Sequence, residues 1–165
     1  MIPLPQALVS GARLGWLADQ PAAAETLARW HHAHWSALMP DWSLGEALAE
    51  LQDHATRRAF PTTWMACDDA SGTVIGSVSL VAFDAAQFLH RTPWLSSLYL
   101  HPDWRGRGIG EAMAGRVLFA ARRWGFPAVH LFTEGPTSMY RRLGFVKIEE
   151  PQLFGRAVQI LERRF

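Results

Sequence analysis

Residues 98–113 read LYLHPDWRGRGIGEAM, and this stretch limits the architecture more than any other. An apolar run of β-forming residues passes through Gly106, Gly108 and Gly110, interleaved with Arg105 and Arg107. It then becomes a helical apolar pattern carried by Ile109, Met113, Val117, Ala120 and Trp124. A strand that enters a helix through glycine leaves backbone N–H groups bare at the helix N-terminus, where a Cβ would obstruct an approaching anion. The junction therefore predicts an α/β topology and an anionic ligand. A Walker A loop would end in GKS or GKT, whereas Gly110 is followed by Glu111 and Ala112. A dinucleotide fingerprint needs GxGxxG. The glycines here are spaced GxGxG, with Glu111 where the third belongs, but Glu134 ends the next strand and keeps that reading open at this point.

The flanking sequence predicts one domain, 1–165, of mixed α/β class. A first strand is expected over 13–18. Pro21 opens a helix that reaches about Leu38 and is closed by Pro40. Ser43 with Glu46 matches a capping box and launches a second helix that buries Leu44, Ala47, Leu48, Leu51 and Ala55. Strands 62–67 and 74–83, joined by DDASG, read as a hairpin, and strand 94–101 leads into the glycine junction. Gly125 and Pro127 end the following helix. Strand 128–133, a short helix in PTSMYRRL and strands 145–150 and 157–163 complete the chain.

Composition sets further bounds. Of 165 residues 49% are hydrophobic and eight are Trp, which suits a packed core and not a disordered chain. Cys67 is the single cysteine, so no internal disulfide can form and a reducing compartment is expected. No basic residue precedes Arg13 and no run reaches membrane-spanning length, so a soluble cytoplasmic protein with no membrane partner is expected. A net charge of +1 argues against a dedicated nucleic-acid binder. Residues 1–90 carry four arginines against nine acids, a net of −5, whereas residues 91–165 carry twelve basic residues against six acids, a net of +6. Such a division suits a polyanion held by the C-terminal half and a cation tolerated by the N-terminal half, although chance variation in solvated surface charge accounts for it equally well.

Arg105, Gly108 and Gly110 form RxxGxG after a strand and before an amphipathic helix, and this resembles the acetyl-CoA pyrophosphate loop of the GNAT superfamily of N-acyltransferases. Downstream, SMYRRLGF is similar to the YxxLGF segment that closes the superfamily's core. The resemblance covers 62–145 as an acetyl-CoA-binding core and is compatible with 1–61 as acceptor-side helices and 146–165 as terminal strands. It implies a single-domain GNAT-like fold, a mostly antiparallel sheet with a splayed parallel central pair flanked by helices. It further implies an N-acetyltransferase that moves an acetyl group from acetyl-CoA to a primary amine, small-molecule or peptide, by direct attack and without a metal. Arg105, Gly106, Arg107, Gly108, Ile109, Gly110 and Glu111 would hold the pyrophosphate, and Leu98, Tyr99 and Leu100 the pantetheine arm. Tyr140 would protonate the departing thiolate. A non-catalytic acyl-CoA sensor and a protein N-terminal or lysine acetyltransferase are the alternatives, and dimers are common among such folds, which leaves room for a homodimer.

Departures from the superfamily pattern fall on the base. Many members carry a Glu on the strand before the loop, where this chain has Trp94, Ser96 and Ser97. Asp84, His90, His101 and Glu134 remain, and Glu134 and Asp84 are taken as the catalytic candidates. Gly135-Pro136-Thr137 replaces the frequent Asn before the Tyr. His31 and His34 in HHAH have metal-like spacing, but no CxxC, HExxH or partner acid accompanies them, so they read as a helix face. Cys67 lies beside Asp68 and Asp69, which raise a thiol's pKa, and reads as packing. Trp16, Trp30, Trp35, Trp42 and Trp64 read mostly as core, with one or two free to line an acceptor pocket.

Overall fold

In the computed structural model, which describes residues 7–165, the elements run β1 (Ala7–Val9), β2 (Ala12–Trp16), α1 (Ala23–Trp35), α2 (Leu44–His54), β3 (Thr62–Asp68), β4 (Val74–Val81) and β5 (Trp94–Leu100). They continue with α3 (Ile109–Arg123), β6 (Ala128–Thr133), α4 (Ser138–Arg142), β7 (Val146–Glu149), β8 (Gln152–Leu153), β9 (Arg156–Ala157) and β10 (Gln159–Arg164). Among the described residues one sheet runs in the order β1-β2-β3-β4-β5-β6-β10-β7, and β8 pairs with β9 apart from it. All neighbours in the large sheet are antiparallel except β5 and β6, which are parallel. The mixed α/β, mostly antiparallel architecture with a parallel central pair is the one the sequence implied. No described helix is long and apolar enough to cross a membrane.

Three differences from expectation have local causes. β1 precedes the expected first strand because Ser10 and Gly11, at φ of +48° and +81°, form a two-residue turn that returns the chain with Val9 opposite Ala12. Phe154 and Gly155, at +49° and +78°, turn β8 into β9 in the same way, so the last strand starts at Gln159. Leu44 was expected in the core but is 43% exposed. The Ser43 capping box forms, with Ser43 Oγ accepting from Glu46 N at 3.1 Å, and it places Leu44 at the first helical position, facing out.

Two layers of helix cover the sheet. On one face α3 packs Met113, Ala114, Val117 and Ala121 against Leu14, Trp64, Val78, Leu80 and Leu95. On the other, Leu27, Ala28 and Leu51 of α1 and α2 meet Met65 and Cys67. Buried polar contacts join the apolar ones on this second face: His31 Nε2 lies 2.8 Å from Ser77 Oγ, and His54 Nδ1 lies 2.9 Å from Thr63 Oγ1, itself 2.7 Å from Ser79 Oγ. Burial, and for His31 also the neighbouring His34, pulls His31 down to about 4, and burial pulls His54 down to about 4. Both therefore stay neutral near pH 7, as hydrogen bonds to hydroxyls in a core require.

The parallel pair is fastened at one end only. Trp94 opposite His130 is the paired position, and His130 N donates to Pro93 O at 3.0 Å. Trp94 is fully buried and stacks on Phe88, while both ring nitrogens of His130 face acceptors, Glu162 Oε2 at 2.9 Å and Pro93 O at 3.3 Å. Beyond this pin β5 is bent by a bulge. Ser79 pairs with Ser96 and Ser77 with Tyr99, so Val78 opposes two residues, Ser97 and Leu98, and Ser97 takes φ +52°. The extra residue resets the alternation, so that Leu95, Leu98 and Leu100 share the α3 face while Ser96 and Tyr99 share the α1 face.

Gly76 is what lets β4 lie against this distorted segment. A Cβ there would stand 2.4 Å from Tyr99 O and 3.1 Å from Leu100 Cα, and backbone cannot swing aside as a side chain can. Gly76→Ala is expected to lower the unfolding free energy by about 2 kcal/mol or more, read from the denaturant midpoint; a loss below about 0.5 kcal/mol would show that the bulge is soft.

Candidate active site

Where β5 and β6 diverge, two cavities meet, and both are lined by His34 and Leu98. The second, of about 420 Å3, is built from the glycine junction. A single helical turn, 102–104, carries the chain out of β5, and Arg105 folds back so that Nε donates to Leu100 O at 2.8 Å and the guanidinium lies 5.6 Å from the Tyr99 ring centre. Gly106 and Gly108 follow at φ +76° and +79°. No atom lies within 4 Å of where their Cβ atoms would be, so glycine is required here by backbone conformation and not by crowding. Gly108 is the N-cap of α3 and supplies no side-chain oxygen, so the first N–H groups of a 15-residue helix have no side-chain cap.

These features suit a pyrophosphate: bare N–H groups, the positive end of a helix dipole and a guanidinium fixed from behind. Leu98, Tyr99, Leu100, Arg105, Gly106, Gly108, Ile109, Gly110 and Glu111 all line this cavity. Arg107 does not; its guanidinium lies 4.9 Å from the Trp104 ring centre and donates to Asp103 O at 3.0 Å, while its own carbonyl accepts from Ser10 Oγ at 2.9 Å. Glu111, in the first turn of α3, is tied to Arg142 at 3.0 Å.

The first cavity, about 460 Å3, brings Asp84, Glu134 and Tyr140 together. Tyr140 is placed by the end of α4. Gly144, at φ +86°, lets Phe145 N bond to Tyr140 O at 3.0 Å and its own N to Arg141 O at 2.9 Å, and the two rings meet at 5.9 Å. This pair of bonds is a Schellman motif, which gives YxxLGF a physical content: glycine stops the helix and the Phe, buried in the core, fixes the Tyr. Burial pushes the Tyr140 phenol up to about 12, so it carries its proton throughout the physiological range.

Among the carboxylates the environments differ. Glu134 pairs with Arg156 at 2.8 Å. Asp84 accepts from Ser96 Oγ at 2.6 Å, and Ser96 Oγ lies 3.2 Å from Ser97 Oγ on the bulge. Burial raises Asp84 from 3.8 to about 6 against the opposing pull of that hydrogen bond. Glu50 of α2, which no sequence pattern singled out, is exposed on the cavity rim, and partial desolvation of its carboxyl there, followed by the charges of Asp84 and Asp53, pushes it upward. His34 is held below its ordinary value by burial and then by the Arg105 charge.

The other residues weighed from sequence fall elsewhere. His101 packs against Trp30 at 5.6 Å, His90 is exposed in the loop before β5, and neither lines either of these two cavities. HHAH divides: His31 bonds within the core while His34 reaches the cavities. Burial pushes the Cys67 thiol up and outweighs the opposing charge of Arg13. Trp35 and Trp42 line the first cavity, and Trp64 is core. No cluster of three or more metal-ligating side chains occurs among the described residues.

Comparison with known proteins gives the geometry a family. Residues 27–145 match the model of the acetyltransferase (GNAT) family. The chain belongs to that family. A mycothiol acetyltransferase from Beutenbergia cavernae is 30% identical over 96 residues, 56% of this chain and 31% of that protein, so the chain spans about a third of that relative's length. Among solved structures, one described as a GNAT-family acetyltransferase from Bordetella pertussis superposes with a TM-score of 0.72 at 18% identity, covering 97% of this chain and 99% of that one. Another, described as an acetyltransferase from Salmonella typhimurium with its cofactor acetyl-CoA, gives 0.69 at 17% identity, covering 94% of each. These two likenesses establish the GNAT fold.

The raised Asp84 carboxyl has a measurable consequence. Between about pH 4 and 6 the native state holds a proton that the unfolded chain has released, so this group's contribution to stability falls as pH rises through that window. Asp84→Asn removes the loss: the melting temperature of the variant relative to the parent is expected to rise between pH 4 and pH 8, and an equal difference at both would contradict the assignment.

Proposed function

We propose that this protein is an N-acetyltransferase that moves the acetyl group of acetyl-CoA to a primary amine by direct attack. The observation that carries the reading is that Leu98 and His34 line both the cavity of the glycine loop and the cavity of Tyr140. Arg105, Gly106 and the N–H groups from Gly108 to Glu111 hold the pyrophosphate, and Arg107 adds long-range charge. Leu98 to Leu100 face the pantetheine arm where β5, freed from β6, has backbone to offer it.

The amine enters from the side of α1 and α2 and attacks the thioester carbonyl, forming a C–N bond as the C–S bond breaks. Attack requires a neutral amine, and Asp84, raised to about 6, takes the proton directly or through Ser96. Glu134, already paired with Arg156, is better placed to shape the entrance. Tyr140 gives its proton to the departing thiolate as the C–S bond breaks; burial, which lifts the phenol to about 12, keeps it protonated until that negative charge develops against it. The products are an acetamide and free CoA thiol.

Tyr140→Phe separates this reading from a non-catalytic acyl-CoA sensor. Turnover, followed as thiol release over a panel of amines, is expected to fall at least about tenfold while acetyl-CoA affinity stays within about twofold. Undiminished turnover would remove Tyr140 from the mechanism, and a parent protein that binds acetyl-CoA but releases no thiol with any amine would favour the sensor.

A further inference from the structure

Assuming the acetyltransferase reading, the acceptor end of the first cavity has a charge and wall composition more specific than an amine site needs. Three carboxylates line it, Glu50, Asp84 and Glu134, against one guanidinium, Arg156. Arg156 is committed to Glu134, and no ion pair joins Glu50 or Asp84 to a cation among the described residues. Glu50 and Asp84 come from separate elements, α2 and the loop after β4, yet lie close enough for Asp84 to raise Glu50. Two like charges at the edge of one cavity cost free energy in the free protein, and a cation between them relieves that cost.

The surrounding wall is apolar and aromatic: Trp35, Leu38, Met39, Trp42 and Phe132 share the cavity with the pair. Indole faces attract an organic cation and accept its hydrocarbon body, whereas a carboxylate brought to the same place would be repelled and find no unpaired guanidinium. Position supports the same occupant. Asp84 is bonded to Ser96, and Ser96 adjoins Ser97 on the bulge, next to the Leu98 junction. An ammonium held by the pair therefore waits beside the place where the thioester arrives.

We infer that Glu50 and Asp84, walled by Trp35 and Trp42, form the receptor for an acceptor that is a cationic amine with an apolar body and no carboxylate group. Glu50 binds the ammonium and sets specificity; Asp84 binds it and then takes its proton. The other titratable and charged groups that face the pair are Asp53 one turn along α2, His34 on α1, and Glu134 with Arg156 across the cavity.

The test compares three acceptors with one aromatic body: 2-phenylethylamine, phenylalanine methyl ester and phenylalanine. With the full chain and saturating acetyl-CoA, kcat/KM for the amine and the ester is expected to exceed that for phenylalanine at least about tenfold, the scale of one charged hydrogen bond. Glu50→Gln is expected to raise KM for the amine and ester about tenfold, to narrow their advantage over phenylalanine, and to leave acetyl-CoA affinity by calorimetry as it was. Phenylalanine equal to the amine, or KM unmoved in Glu50→Gln, overturns the receptor while leaving the acetyltransferase reading intact. If no acceptor gives thiol release, the acetyltransferase reading fails, and calorimetry of 2-phenylethylamine into the CoA-loaded protein still decides: binding weakened about tenfold in Glu50→Gln supports the receptor, and no binding to the parent overturns it.

Discussion

Two parallel strands held together at one end and free at the other are the constraint on which the rest of this molecule depends. At Trp94 and His130 the pin is tight: a buried indole, a backbone bond to Pro93 and an imidazole set against Glu162. Past it, the Ser97 bulge turns β5 away, and pairing with β6 stops. Backbone that a continuous sheet would have consumed in its own ladder is left facing a cleft. An open edge inside a sheet is costly unless something else satisfies it. A ligand with amides of its own, such as a pantetheine arm, is suited to do so.

The helices then divide the cleft's two ends by charge. The N-terminus of α3, with Arg105 behind it, makes one end positive, and Glu50 on α2 with Asp84 after β4 makes the other negative. The half of the sequence with net −5 supplies α1, α2 and the Asp84 loop, and the half with net +6 supplies the glycine junction, although Glu134 and Arg156 from that second half also line the acidic end. The histidines that fasten α1 and α2 to β3 and β4 are kept neutral by burial, so they add no positive charge beneath the acidic end near pH 7.

The parts legible in the sequence are those whose physics is local. RGRGIG must be a strand-to-helix turn because Gly106 and Gly108 adopt positive φ, and YxxLGF is a helix stop whose Phe fixes its Tyr. The capping box at Ser43 and Glu46 is equally local. What could not be read depends on distant partners. The pair of serines in WLSSLYLH gives no sign that one of them is an extra residue, because a bulge is defined by the strand opposite. Glu50 looks like any solvated helix residue until Asp84, thirty-four positions later, folds beside the same cavity. His31 and His34 look alike in sequence and are separated only by which hydroxyls and rings the sheet presents to them.

The central claim is that the unpaired backbone of β5 and the glycine junction together receive the cofactor. Amide hydrogen exchange with and without CoA tests it most directly, because it reads those N–H groups one by one. Slowed exchange concentrated at Leu98–Leu100 and at Gly106–Glu111, with α2 and the β1–β2 hairpin unchanged, is the predicted result. CoA that binds while leaving both segments exchanging at their free rates would contradict the account.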